Sequence, residues 1–224
     1  MRTLLSFVLL AFIIKSSSAQ STRIGITFQP NLTYFTIRPD ASSMANDFKL
    51  QNKPLVRFQV GIAFFRQLSD KITFSSGISY SERGFKSQFN TSTISAFNLG
   101  SGYSLKVIDR YLEIPIVFNY YLSKNEKTAW FISGGLKPAI YLNSVSKADG
   151  VPGSSNNFYY SAHRKINLFA TVGFGAEINI SEQCQLILWP ALEQALLKEV
   201  YAAPLSLYPY SIGLNVCLVF SLGN

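Results

Sequence analysis

The sequence predicts an all-β fold, an eight-stranded antiparallel up-and-down transmembrane β-barrel, and three observations predict it. Apolar residues alternate with small or polar ones in eight segments, the connections between segments switch between short and long, and the less apolar face is built from Gly, Ser, Thr and Asn instead of charge. The pattern is plainest in residues 210–220, Y-S-I-G-L-N-V-C-L-V-F, where every even position is apolar.

Residues 23–36 put Ile24, Ile26, Phe28, Pro30, Leu32 and Tyr34 on one face, against Gly25, Thr27, Gln29, Asn31 and Thr33. Residues 55–67 set Val56, Phe58, Val60, Ile62 and Phe64 outward, with Arg57, Gln59, Gly61 and Ala63 inward. In 71–83 the outer set is Ile72, Phe74, Ile78 and Tyr80, and the inner face is Thr73, Ser75, Gly77 and Ser79. The fourth, 105–122, alternates Leu112, Ile114, Ile116, Phe118 and Tyr120 with Tyr111, Glu113, Pro115, Val117 and Asn119, so Glu113 points inward. The fifth, 128–144, has Trp130, Ile132, Leu136, Ile140 and Leu142 outside, and Ser133, Gly135, Lys137 and Tyr141 inside. The sixth, 165–180, sets Ile166, Leu168, Val172, Phe174, Ile178 and Ile180 against Asn167, Thr171, Gly173, Gly175 and Glu177. In the seventh, 185–201, Leu186, Leu188 and Leu192 alternate with Gln185 and Trp189, but residues 191–200 (A-L-E-Q-A-L-L-K-E-V) are equally good helix formers. The eighth is 210–220.

Connection lengths supply the topology. Residues 68–70, 123–127 and 181–184 are tight polar turns, whereas 38–54, 84–104 and 145–164 are long and rich in Ser, Asn, Asp and Gly; the last link, 202–207, is brief. Outer-membrane barrels have short periplasmic turns and long extracellular loops, and an even strand count returns both ends to the periplasm. A soluble sandwich or a lipocalin-like carrier also alternates, with its greasy face inside. Lipid is favoured by the sparsely charged inner face, by strands long enough to cross tilted, and by aromatics near strand ends at Tyr34, Phe35, Tyr120, Tyr121, Trp130, Tyr208 and Tyr210.

The 224 residues suit one domain. Charged residues and aromatics each make up 14%, and Lys plus Arg exceed Asp plus Glu by eight, yet the basic residues are scattered, so nucleic acid is not an expected partner. Residues 1–19 read as a signal peptide, with Arg2 as the positive start, an apolar run over 4–14 and Ser17, Ser18 and Ala19 before a cleavage that leaves residues 20–224 as the barrel. Arg2 and Lys15 take two of the eight surplus charges with them, leaving +6. No stretch approaches the roughly 20 apolar residues of a transmembrane helix. Cys184 and Cys217 fall toward the same end of adjacent strands but in opposite phases, which weighs against a disulfide.

Residues 110–120, R-Y-L-E-I-P-I-V-F-N-Y, resemble the "YLEIP" strand of the PorT-like outer-membrane β-barrel proteins of Bacteroidota, with support from the Gly-rich runs Ser133-Gly134-Gly135 and Val172-Gly173-Phe174-Gly175. The resemblance follows strand order through the whole chain after residue 19, but only the fourth-strand motif is specific. It implies an eight-stranded barrel of the outer membrane. It also implies a structural or accessory place in the cell envelope, linked to protein secretion, since named members serve type IX secretion and gliding. It carries no catalytic residue and no cofactor. The partners implied are outer-membrane lipid and other envelope or secretion proteins.

Five inward charges, Arg57, Glu113, Lys137, Glu177 and Glu193, are expected to pair across a lumen that side chains largely fill, as a plug or else as an ion path. His163, the one histidine, stands near Ser161, Arg164 and Asp149. It is either a general base of a small enzyme acting on lipid or peptide at the outer leaflet or a solvated loop residue, and no motif fixes its partners. Phe158, Tyr159 and Tyr160 are either interfacial aromatics or a loop patch for a partner, and the sequons at Asn31 and Asn90 carry no weight. Neither a metal-ligand cluster nor a nucleotide fingerprint appears.

Overall fold

The computed structural model describes residues 22–39, 52–88, 104–149, 164–198 and 205–221. They form nine strands: β1 (Thr22–Pro39), β2 (Asn52–Ser69), β3 (Ile72–Gln88), β4 (Ser104–Glu113), β5 (Ile116–Lys124), β6 (Thr128–Asp149), β7 (Ile166–Asn179), β8 (Cys184–Ala195) and β9 (Leu205–Ser221). All pairings are antiparallel. β1 pairs with both β2 and β9, and the remaining neighbours complete the circle, so the sheet closes on itself and leaves no edge. Among the described residues no helix is long and apolar enough to cross a membrane.

Nine strands make eight staves. The segment expected as one strand over 105–122 is interrupted at Ile114-Pro115, yet β4 and β5 both lie between β3 and β6. Pro115 has no N–H to donate to the ladder. Ile114 keeps the wall joined by donating its N–H to Pro138 O at 2.9 Å. The segment over 191–195 is strand: Ala191 to Ala195 pair with Phe169 to Gly173, and Ala191 to Gln194 also pair with Tyr210 to Gly213. Two flanking ladders satisfy backbone groups that a helix would have to satisfy alone, and propensity gives way to them.

The phase is the one predicted. Ile78 and Val172 are each 57% exposed on the outside, while Arg83 and Glu193 are 1% and 2% exposed on the inside. The hydrophobic belt of a soluble barrel would be the other way round. Tyr34 stacks on Tyr210 at 5.2 Å and Trp130 on Phe174 at 5.5 Å across neighbouring strands. Phe35 and Tyr121, expected in the same aromatic girdle, are instead buried in the lumen, because odd positions of β1 and β5 face inward. Cys184 and Cys217 are both free, with Cys217 buried inside and Cys184 opposite the outward-facing Phe220.

Close approach inside the barrel depends on glycine, as at Gly175. A Cβ added at Gly175 would collide with the Trp189 Cβ and lie 2.8 Å from the Phe131 ring. Gly175→Val is therefore expected to cost about 1–3 kcal/mol by overpacking. The check is a urea unfolding midpoint in lipid vesicles, which falls for Gly175→Val and is nearly unchanged for Gly134→Ala, where an added Cβ meets nothing within 4 Å.

Candidate functional site: the charged lumen

Two apolar layers cross the barrel interior. Near the short turns, Ala63, Phe65, Tyr121, Phe131, Ile187, Cys217 and Val219 pack together, with Trp189 against them. Toward the long connections, Tyr111, Ala139, Phe169 and Ala195 form a second cluster, with Tyr111 meeting Phe169 edge-on at 5.8 Å. The charges sit one inward step below this upper layer: Glu113 follows Tyr111, Lys137 precedes Ala139 and Glu193 precedes Ala195. Strand alternation thus sets both the aromatic layer and the ionic layer.

Arg83 ties the ionic layer together. Its guanidinium donates to Glu113 Oε1 at 2.9 Å and to Glu193 Oε2 at 2.5 Å, donates to the Ser211 hydroxyl at 2.9 Å, and lies 4.0 Å over the Phe169 ring. Lys137 donates to the other oxygen of Glu193 and to Gln59 Oε1. Gln29 Nε2 also reaches Glu193, at 3.2 Å. Two carboxylates are thus held by two cations from four different strands, with neutral donors around them. Such a layer is stable only when each charge is paired, because removal from water costs several kcal/mol per ion.

A second pair stands nearer the turns. Arg23 donates to Glu177 Oε1 at 2.6 Å and to Gln185, while the Tyr121 hydroxyl donates to Glu177 Oε2 at 2.5 Å. Of the five charges expected to meet, Glu113, Lys137 and Glu193 come together through Arg83, and Glu177 pairs separately with Arg23. Arg57 joins neither. Its Nη1 donates to its own neighbour's carbonyl, Val56 O, at 2.9 Å, and its Nε and Nη2 have no acceptor among the described residues.

The reason is local: the β2–β3 register shifts between Pro54 and Gln59, which takes Arg57 out of the ladder with β3. Thr33 of β1 closes the gap, donating to Gly84 O at 2.7 Å and accepting from Gly84 N–H at 3.0 Å. Sequence reasoning missed Arg83 and Arg23. Both occupy odd, inward positions of segments already read as strands, so the phase alone was the available signal.

Space is scarce. A cavity of about 50 Å³ lies beside Lys137, lined also by Thr27, Gln59, Ser79, Trp189 and Asn215. It has room for a few water molecules and not for a solute path. Single-channel recording in planar bilayers is expected to show no stable conductance steps for the wild-type barrel; steps of porin size would contradict the plugged lumen. The described residues contain no grouping of three or more His, Cys, Asp or Glu able to hold a metal. His163, Ser161 and residues 158–160 lie outside the described residues, as do residues 1–19 and the cleavage after Ala19; Asp149 is the last residue of β6.

A closed sheet with an oily exterior and a filled, ion-paired interior defines a transmembrane β-barrel. The chain belongs to the outer membrane protein beta-barrel domain family, whose model matches residues 18–189. That membership supports an outer-membrane location. No curated protein matches it in sequence. Among solved structures, the outer membrane protease OmpT from Escherichia coli is similar at a TM-score of 0.51 and 8% identity, over 92% of this chain and 99% of that one. The outer membrane protein OprG from Pseudomonas aeruginosa scores 0.46 at 10% identity, over 88% and 95%. Neisserial surface protein A scores 0.42 at 11% identity, over 89% and 98%. At 8% identity the likeness to the protease shows the fold and no activity.

Proposed function

We propose that this chain is a non-enzymatic outer-membrane barrel with a structural or accessory role in the cell envelope, and that the role serves protein secretion. The carrying observation is the lumen crossed by the Arg83–Glu113–Glu193–Lys137 layer between two aromatic layers, which leaves the wall and the long connections as the working surfaces. The link to secretion rests on the PorT-like strand around Tyr111-Leu112-Glu113-Ile114-Pro115. Residues 1–19 act in this reading as a cleaved export signal, and outer-membrane lipid and other envelope proteins are the partners. Crosslinking in intact cells followed by co-purification tests the role. Recovery of secretion or envelope components, with a secretion defect on deletion that His163→Ala complements in full, is the expected result. A hydrolase or acyltransferase activity abolished by His163→Ala would replace this reading with that of an outer-leaflet enzyme.

A further inference from the structure

Four lysines stand in one row across four neighbouring staves. Lys53 of β2 is the register partner of Lys86 of β3, Lys86 is the partner of Lys106 of β4, and Lys106 is the partner of Lys147 of β6. The row lies at the long-connection end, since Lys53 and Lys106 open their strands while Lys86 and Lys147 come near the ends of theirs. It also faces outward. The inward neighbours Phe85 and Val107 are 1% and 0% exposed, and the register shift in β2 puts Lys53 on the side of Lys86 despite its odd number.

Like charges placed directly opposite one another across a ladder repel, and a sheet that repeats this three times in succession is destabilised unless something anionic lies over the row. No acidic residue whose side chain is described supplies that charge. Glu82, on the same face two outward steps nearer the belt, is held by Arg110 at 3.1 Å and by the Tyr80 hydroxyl at 2.9 Å. Asp109 faces the lumen, where Ser144 donates to it at 2.6 Å. Asp149 stands two residues beyond Lys147, at the end of its strand.

We propose that the Lys53–Lys86–Lys106–Lys147 row is a binding surface for the phosphorylated headgroup of an anionic glycolipid in the outer leaflet. The direction of the side chains decides the occupant. They project sideways from the wall, on the same face as Ile78 and Ile140, so they address what surrounds the barrel laterally, not what approaches its mouth. Adjacent strands are about 4.8 Å apart, so the row spans about 14 Å, wide enough for a headgroup bearing more than one phosphate. Phosphate is matched by several ammonium groups acting as point charges, which lysine provides. The inference rests on the outer-membrane reading, with the long connections facing outward.

The test uses the full-length mature barrel folded in neutral detergent micelles, with bisphosphorylated lipid A as the probe and native mass spectrometry as the readout. Folding of each variant is confirmed first by heat-modifiable gel migration, which tests the barrel reading separately. Wild type should retain lipid A, and K86Q/K106Q should bind about thirtyfold more weakly, as loss of two surface lysines from an anionic headgroup predicts. Lipid A stripped of its phosphates should bind wild type as weakly as the intact lipid binds the variant. The turn-end control K124Q/K127Q should bind as wild type does. Equal binding by wild type and K86Q/K106Q, or no preference for the phosphorylated form, would overturn the proposal. So would equally tight binding of soluble inositol hexakisphosphate, which would make the row a site for polyanions arriving from solution.

Discussion

Arg83→Ala is expected to lower the folding stability of the barrel by about 3–5 kcal/mol, the cost of leaving buried carboxylates without their cation. Arg83 is the described cation that Glu113 pairs with, and it shares Glu193 with Lys137. Its removal therefore strands Glu113 more completely than Glu193. It also removes the guanidinium packed over Phe169, so the upper aromatic layer loosens along with the ionic one. The urea midpoint of unfolding in lipid vesicles measures the loss. Glu113→Gln placed in the Arg83→Ala background should recover part of it, since the stranded charge is then gone, and the double-mutant cycle should show strong coupling. Strict additivity of the two substitutions would mean that the pair does not act as a unit.

Leu214→Arg carries the second large effect and concerns the opposite face. Leu214 lies near the middle of β9, 45% exposed on the outer wall, between Ile212 and Val216 of the same face. A cation on the lipid face near the bilayer midplane costs about 2–4 kcal/mol. On a water-facing wall the same substitution would cost almost nothing. The lumen neighbour Asn215 provides the contrast: Asn215→Ser changes a small polar group inside and should move the unfolding midpoint far less than Leu214→Arg. Both variants are read by the same urea titration in vesicles.

Much of this architecture is legible in the chain because a strand's period is short and local. The run Ile24, Ile26, Phe28 declares its face without reference to any other strand, and so does Ser75, Gly77, Ser79 on the opposite side. The inward direction of Glu113, Lys137, Glu177 and Glu193 follows from the same counting. Which of them meet is a different matter. Arg83 reaches Glu193 across 110 residues of chain, and that encounter is set by strand stagger around the closed sheet, a property that no single segment encodes.

Register irregularities are hidden for a related reason. The shift between Pro54 and Gln59 sets Lys53 opposite the outward Lys86 and takes Arg57 out of the ladder with β3, while Arg57 keeps its inward place opposite Asn31 of β1. Phe35 and Tyr121 look like interfacial aromatics until their odd positions are given weight over their nearness to strand ends. At residues 191–195 the helical composition is real, and the two adjoining ladders override it.

A membrane-spanning barrel has hydrocarbon against its outer wall, and a nitroxide spin label at position 214 reports on that directly. With the barrel folded in phospholipid vesicles, the label should be highly accessible to dissolved oxygen and shielded from a water-soluble nickel complex, with a dry spectral signature. A label there that collides freely with the nickel complex, or that is immobilised by protein packing, would contradict a membrane-spanning barrel.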